Sequence, residues 1–166
     1  GNFETAVSVD GRTEHLKHGV TIIASGASEW KPDGYLYGQD PRVMTALELQ
    51  ERFIENDPFL SERRTALFIQ CVGSRIPERP YCSKVCCTRS IQSALRLKAI
   101  RPETAVYVLY RDMRSYGLRE DLYRKAREAG VTFVRYDADQ SLTVERTGED
   151  LQVIFTDCVL RRRMQI

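Results

Sequence analysis

Thr65-Ala-Leu-Phe-Ile-Gln-Cys71-Val-Gly-Ser-Arg75-Ile-Pro-Glu-Arg-Pro80-Tyr-Cys82-Ser-Lys-Val-Cys86-Cys87 is the stretch that decides how this chain is read. Its first six residues are a short run of β-favouring, mostly apolar types, and from Ser83 to Ile100 apolar positions recur at helical spacing. The predicted order is therefore strand, loop, helix. Between strand and helix stand four of the chain's five cysteines, spaced C-x10-C-x3-C-C. Packing alone gives no reason to crowd thiols in this way.

The predicted geometry puts Cys71 at the carboxyl end of the strand. Cys82 falls at or just before the first turn of the helix, Cys86 one turn on, and Cys87 about 100° round from its neighbour. The helix dipole, with Lys84 and Arg89 nearby, is expected to favour thiolate, the form that binds metal. Four soft ligands suit an iron-sulfur cluster or tetrahedral zinc. The adjacent pair Cys86-Cys87 favours the cluster, because zinc usually takes its cysteines from looser C-x2-4-C knuckles. A zinc-stabilised structural or docking module without redox activity is the main alternative. A redox dithiol and thiols with no ligand role stay open behind it. A disulfide scaffold is disfavoured by the chain's length and by the lack of an extracellular cue.

Composition sets the frame around this segment. At 166 residues, 42% hydrophobic and 29% charged, the chain reads as one soluble globular domain, or one domain with a piece of another. A net charge of +2 points to no particular partner, and nucleic-acid binding has little support. Arg161, Arg162 and Arg163 read as a solvated end. No stretch approaches the ~20 apolar residues of a membrane span. Cysteines without an export signal predict a reducing compartment, the cytoplasm.

Asn2 to Val9 is predicted as a strand turning at Asp10-Gly11, and Gly19 to Gly26 as a strand buried on both faces. Ser25-Gly26-Ala27 offers almost no side chain, so a ligand could approach its backbone. His15 and His18 are placed in a polar, solvated loop. Residues 28 to 44 are too long for an ordinary loop, and a domain boundary is drawn there, separating 1–44 from 45–166. Thr45 and Glu48 form a capping box for a helix burying Leu49, Phe53 and Ile54 and ending at Asn56-Asp57-Pro58.

Beyond the cysteines, Cys87, Ile91, Ala94 and Leu95 share one helix face and Arg89, Gln92, Ser93 and Arg96 the other. A strand over Ala105 to Tyr110, a helix marked by Leu118, Leu122, Ala126 and Ala129 and closed at Gly130, and a strand over Val131 to Tyr136 follow. This alternation implies an α/β fold: a Rossmann-like parallel sheet flanked by helices. Ser141 to Glu145 and Leu151 to Thr156 add a hairpin, and Asp157 to Leu160 would begin a further buried strand with Cys158 as a buried hydrophobe. Arg111, Asp112 and Arg114 follow a strand end, where doubly wound folds often bind ligands. A dinucleotide-binding turn would carry G-x-G-x-x-G where this chain has Cys71-Val72-Gly73-Ser74-Arg75, so nicotinamide binding is not expected there.

Taken together, Gln70-Cys71-Val-Gly-Ser-Arg75, Arg79-Pro80-Tyr81-Cys82-Ser83-x-x-Cys86-Cys87 and Tyr107-Val-Leu-Tyr-Arg-Asp112-x-Arg114-x-Tyr116-Gly117 closely resemble the heterodisulfide reductase A-subunit family. Its members are flavoproteins related to thioredoxin reductase. The resemblance implies that Cys71, Cys82, Cys86 and Cys87 ligate a [4Fe-4S] cluster close to FAD. It implies an oxidoreductase that passes electrons between flavin, ferredoxin-type clusters and partner subunits. Ser25-Gly26-Ala27 matches the family's segment near the flavin, and Arg111 and Arg114 gain a cofactor role from the same resemblance. The family's glycine-rich FAD turn and its C-x2-C-x2-C repeats are missing from this sequence. The chain is therefore expected to be a central portion, inactive alone and unable to hold FAD. Its early strands, deprived of their sheet, are expected to pair elsewhere, for example with a second copy.

Overall fold

A computed structural model describes residues 1–138, 140 and 142–166. The chain begins with β1 (Phe3–Val9) and β2 (Arg12–His18), an antiparallel hairpin with Phe3 opposite His18. Its two-residue turn needs left-handed backbone, supplied by Asp10 (φ 51°) and Gly11 (φ 77°). His15 and His18 are therefore strand residues, not loop residues. His15 Nδ1 lies 2.9 Å from Glu4 Oε1, and His18 Nε2 lies 2.7 Å from Thr5 Oγ1 across the ladder. The two strands pair with each other, and nothing in this pairing calls for a second copy.

The strand expected at Gly19 to Gly26 is not formed. Val20, Ile22 and Ile23 are 71%, 84% and 87% exposed, and the segment has no assigned secondary structure. An apolar, β-favouring run makes a strand only where a neighbouring strand takes up its backbone N–H and C=O groups. Here the contacts are local, with the Gly1 amine at the Gly19 carbonyl and His18 Nδ1 at the Val20 carbonyl, and among the described residues no strand pairs with the run.

Helix α1 (Ala46–Glu55) starts at the expected capping box. Thr45 Oγ1 accepts from the Glu48 N–H (3.3 Å), and Glu48 Oε2 accepts from the Thr45 N–H (2.7 Å), a pairing worth about 1 kcal/mol. Asn56 ends the helix in left-handed backbone (φ 53°). Phe53 is buried as expected, but Ile54 faces solvent. A one-turn helix α2 (Phe59–Glu62), too short to show a period in the sequence, buries Leu60.

Then follow β3 (Thr65–Ile69), α3 (Cys86–Ile100), β4 (Ala105–Tyr110), a 3-10 turn (Gly117–Arg119), α4 (Glu120–Glu128) and β5 (Val131–Arg135). The three strands form a parallel sheet in the order β3-β4-β5, with Thr65 opposite Ala105 and Val106 opposite Val131. Period-two alternation then sorts their side chains into two layers. Ala66, Phe68, Val106, Val108, Val131 and Phe133 meet Phe53, Leu60, Ile91, Ala94, Leu97 and Ala126 of the helices. Leu67, Ile69, Leu109 and Val134 turn the other way, onto Tyr136, Val153 and Phe155.

The fold is thus α/β with helices on one face of the parallel sheet and an antiparallel sheet, not helices, on the other. That second sheet is β6 (Thr143–Thr147), β7 (Asp150–Asp157) and β8 (Arg162–Gln165), in the order β6-β7-β8. The expected strand start at Ser141 lies outside the described residues. Asp157 ends β7, and Cys158 to Leu160 form a turn, not a further buried strand: Asp157 Oδ1 accepts from the N–H groups of Val159 (2.7 Å) and Leu160 (2.8 Å), and Val159 is exposed. Cys158 is half-buried, not part of the core. Arg162 and Arg163, expected in a solvated end, are exposed as expected but belong to a strand, with Arg162 opposite Asp157.

Asp40 ties the long connection to the antiparallel sheet. Its buried carboxylate accepts from Arg42 through Nε, Nη2 and the backbone N–H (2.9, 2.9 and 3.0 Å), and from Arg146 Nε (3.0 Å). Those donors, Arg42 foremost, hold the carboxyl well below the usual carboxylate range. A depressed folded-state pKa contributes stability above the unfolded value, and that stability is lost as pH falls through the folded one. Asp40→Asn is accordingly expected to lower the urea midpoint at pH 7. The gap from wild type should stay constant down to about pH 4 and close only in stronger acid, as followed by urea melts across pH.

Candidate metal centre

The cysteine loop leaves β3 through a clamped residue. Gln70 donates its N–H to the Leu109 carbonyl (2.9 Å), and its own carbonyl accepts from Tyr136 Oη (2.8 Å). Burial first of all pushes that tyrosine up to about 12, so it stays a donor throughout the physiological range. The chain then turns sharply: Cys71, Gly73, Arg75 and Lys84 have φ of 62°, 64°, 60° and 60°. Three non-glycine residues in left-handed backbone within one loop are a concentration of strain of the kind that gathers at functional sites. Cys86, expected one turn into the helix, opens α3, and Cys82, expected at or just before its first turn, lies four residues ahead of it in a stretch without regular structure.

Three of the four thiols lie within hydrogen-bond distance of a neighbouring polar atom. The Cys87 thiol donates to the Asp112 carbonyl (3.8 Å), and the Arg75 guanidinium beside Cys71 and the Arg114 backbone beside Cys87 favour their thiolates. The Lys84 N–H donates to Cys82 Sγ (3.3 Å), and Ser83 Oγ lies 3.1 Å from Cys86 Sγ. Cys87, the most buried of them, feels the charges of Cys86, Cys71 and Cys82, so the four share one electrostatic neighbourhood. All are free thiols, and among the described residues no three Cys, His, Asp or Glu side chains close up into a metal site as they stand.

The expected lowering of thiol pKa does not hold for Cys71 or Cys87. Burial raises both, outweighing the influence of Arg75 at Cys71 and of the Arg114 backbone at Cys87. Lys84 and Arg89, invoked to stabilise thiolate, are exposed to solvent. The donor set still fits a soft metal centre: four cysteine sulfurs are the ligands a cluster takes, and the Lys84 N–H at Cys82 and the Arg75 charge beside Cys71 are the kind of surroundings that stabilise bound thiolate.

Of the other expected site residues, Arg111 and Arg114 do adjoin the loop. Arg111 Nη1 donates to the Arg75 carbonyl (2.9 Å), and Arg114 contributes through its backbone. Ser25, Gly26 and Ala27 lie exposed in the unassigned segment, where a Cβ on Gly26 would meet no atom within 4 Å.

No protein-family model matches the chain. Curated relatives do. The iron-sulfur A-subunit of the CoB-CoM heterodisulfide reductase of Methanocaldococcus jannaschii is 35% identical over 148 residues, covering 78% of this chain and 22% of the relative. The A-subunit of the ferredoxin:CoB-CoM heterodisulfide reductase of Methanosarcina acetivorans is 42% identical over 162 residues, covering 72% and 20%. A third, the A-subunit of the H2/formate:CoB-CoM heterodisulfide,ferredoxin reductase of Methanococcus maripaludis, is 33% identical over 148 residues, covering 78% and 22%. The chain belongs to the heterodisulfide reductase A-subunit family. It spans about a fifth of the length of these relatives.

In this member of the heterodisulfide reductase A-subunit family, two residues that sequence pattern alone does not assign to the site shape its loop. Arg75 stands among the motif residues, but its role depends on partners distant in sequence. Trp30, in the long connection, packs its ring over Gly73 and is covered in turn by the Arg79 guanidinium (4.5 Å). A Cβ on Gly73 would collide with Trp30 Cζ3, in backbone that already disfavours side chains. Gly73→Ala is expected to cost about 1–3 kcal/mol and to expel the ring. Because Trp30 is the chain's one tryptophan, a red shift of its fluorescence reports the expulsion directly.

Proposed function

We propose that Cys71, Cys82, Cys86 and Cys87 ligate a [4Fe-4S] cluster and that this chain is the cluster-bearing part of an electron-transferring oxidoreductase. What supports the reading most is the placement of the thiols: four cysteines on a strained loop between strand and helix, with the Lys84 N–H directed at Cys82 and the charge of Arg75 beside Cys71. When bound, such a cluster supplies a one-electron couple. The chain's residues hold it at a fixed depth and set its potential through burial, hydrogen bonds to sulfur and local charge. No acid or base is needed. Cys87 and the core side of α3 exclude water from one side, and Ser83, Lys84 and Arg114 orient the sulfurs.

The α/β unit at 45–166 is further read as a Rossmann-type nucleotide-binding domain whose phosphate turn has become the cysteine loop. Residues 1–44 are read as strands and linker of an FAD-binding unit completed by a longer chain. There Ser25, Gly26 and Ala27, with Arg111 and Arg114, would face FAD. Other redox subunits and ferredoxin-type domains would exchange electrons with it, as the relatives' names indicate for those proteins. The compartment would be the cytoplasm; among the described residues no helix is long and apolar enough to cross a membrane. Anaerobic reconstitution followed by iron and sulfide analysis and EPR tests the reading. About four iron and four sulfide per chain and a reducible paramagnetic signal are expected; a chain that keeps no iron, or keeps zinc instead, refutes it.

A further inference from the structure

We propose that Arg75 sets the reduction potential of the centre, as a fixed positive charge held against Cys71, with Asp112 as its counterweight. This rests on the cluster reading above. Arg75 is not on a helix or strand that would place it by default. Its backbone is left-handed (φ 60°), and its carbonyl is braced by Arg111 Nη1 at 2.9 Å. From that position Nη2 donates to Asp112 Oδ2 at 2.6 Å, and the guanidinium lies beside Cys71, close enough for its charge to act on the thiol. Its Nη1 is buried and has no hydrogen-bond partner among the described residues. A buried guanidinium N–H left without an acceptor is costly, and an anionic acceptor held by the cysteine loop would satisfy it.

The charge arithmetic gives the direction. One-electron reduction, with the electron drawn from a low-potential donor, makes the centre more negative by one charge and breaks no bond. A positive charge beside a ligand sulfur stabilises that reduced state. Asp112 opposes this with its own negative charge, paired with the same guanidinium and shared with Arg135 Nη2 at 3.5 Å. Removing Arg75 and removing Asp112 should therefore move the potential in opposite directions. A residue that merely pins the loop would not produce that pattern, because the two variants break the same ion pair.

The test is a dithionite redox titration of the reconstituted chain by EPR, at fixed salt, with iron and sulfide content measured in parallel. Arg75→Gln is expected to keep its iron and to lower the reduction equilibrium constant about tenfold, which is about 59 mV for one electron. Asp112→Asn should raise it about threefold, less because Asp112 is more exposed and screened. Arg75→Lys, which keeps the charge, should recover most of the wild-type value. Full iron with an unmoved potential in Arg75→Gln, or both variants shifting the same way, overturns the assignment. Should Arg75→Gln lose its iron, a potential in Asp112→Asn that fails to rise overturns it as well. A wild-type chain that retains no iron removes the cluster reading and this inference together.

Discussion

Cys87→Ser is expected to abolish iron retention after anaerobic reconstitution, and Cys71→Ser, Cys82→Ser and Cys86→Ser to do the same or leave a partly dismantled centre. A serine hydroxyl is harder and far less acidic than a thiol, so it does not replace a thiolate at iron. Loss of an outer-shell partner typically costs 10–100-fold in metal affinity, and loss of a ligand should exceed about 100-fold. Cys87 should be the most sensitive position because its thiol is the most buried and its neighbourhood includes the other three sulfurs. Cys158→Ser is the internal control: Cys158 sits in the turn after β7, and its iron content should match wild type. Iron per chain by mass spectrometry of the intact protein reads out the whole series.

The second large effect is on stability. Ile91 is fully buried, one helical turn beyond Cys87 on the face of α3 that packs against the parallel sheet. Ile91→Ala is expected to cost about 2–5 kcal/mol, the transfer term plus the cavity left among Phe53, Ala94 and Val106. Set against a typical stability of about 5–15 kcal/mol, that is a large fraction. Ile100→Ala, at the helix end and 43% exposed, should stay within about 0.5 kcal/mol. Urea melts of the three proteins give the comparison. Near-equal effects would mean that α3 does not dock through the face described.

Those two residues also show what is legible in the sequence. The parallel strands and α3 can be read because each buries a side whose period matches its geometry: two for Val106 and Val108, nearly four for Cys87, Ile91 and Ala94. The capping box at Thr45 is legible because both its hydrogen bonds lie within four residues. The helix face is misread where burial is polar. Ser93, expected on the solvent side, is buried and accepts from Gln50 Nε2 of α1 at 2.9 Å, and a hydrophobicity pattern cannot detect a small hydroxyl used that way. Strands β2 and β8 escape sequence reading for a related reason: Arg12-Thr-Glu-His-Leu-Lys-His and Arg162-Arg-Met-Gln pair through backbone, with charged side chains in solvent. Gly19 to Gly26 fails in the opposite sense, since its apolar residues announce a burial that the described residues do not provide.

The site divides along the same line. Four cysteines at that spacing announce soft-ligand chemistry, and local sequence places them between a strand and a helix. The donors that serve them come from farther away or from backbone: Arg114 lies beyond β4, and Arg111 braces Arg75 from the end of the next strand. The Cys71 and Cys87 thiols run opposite to expectation because proximity to positive charge counts for less there than burial, which is the larger effect.

Iron K-edge X-ray absorption on the anaerobically reconstituted chain puts the matter most directly, because it reports what surrounds each metal atom whatever the activity. Gathered thiols holding a cluster predict iron in an all-sulfur shell with other irons just beyond it, a pattern that disappears in Cys87→Ser. A lone metal ion in sulfur with no metal neighbour, or oxygen-bound iron that survives loss of the cysteines, would contradict the account.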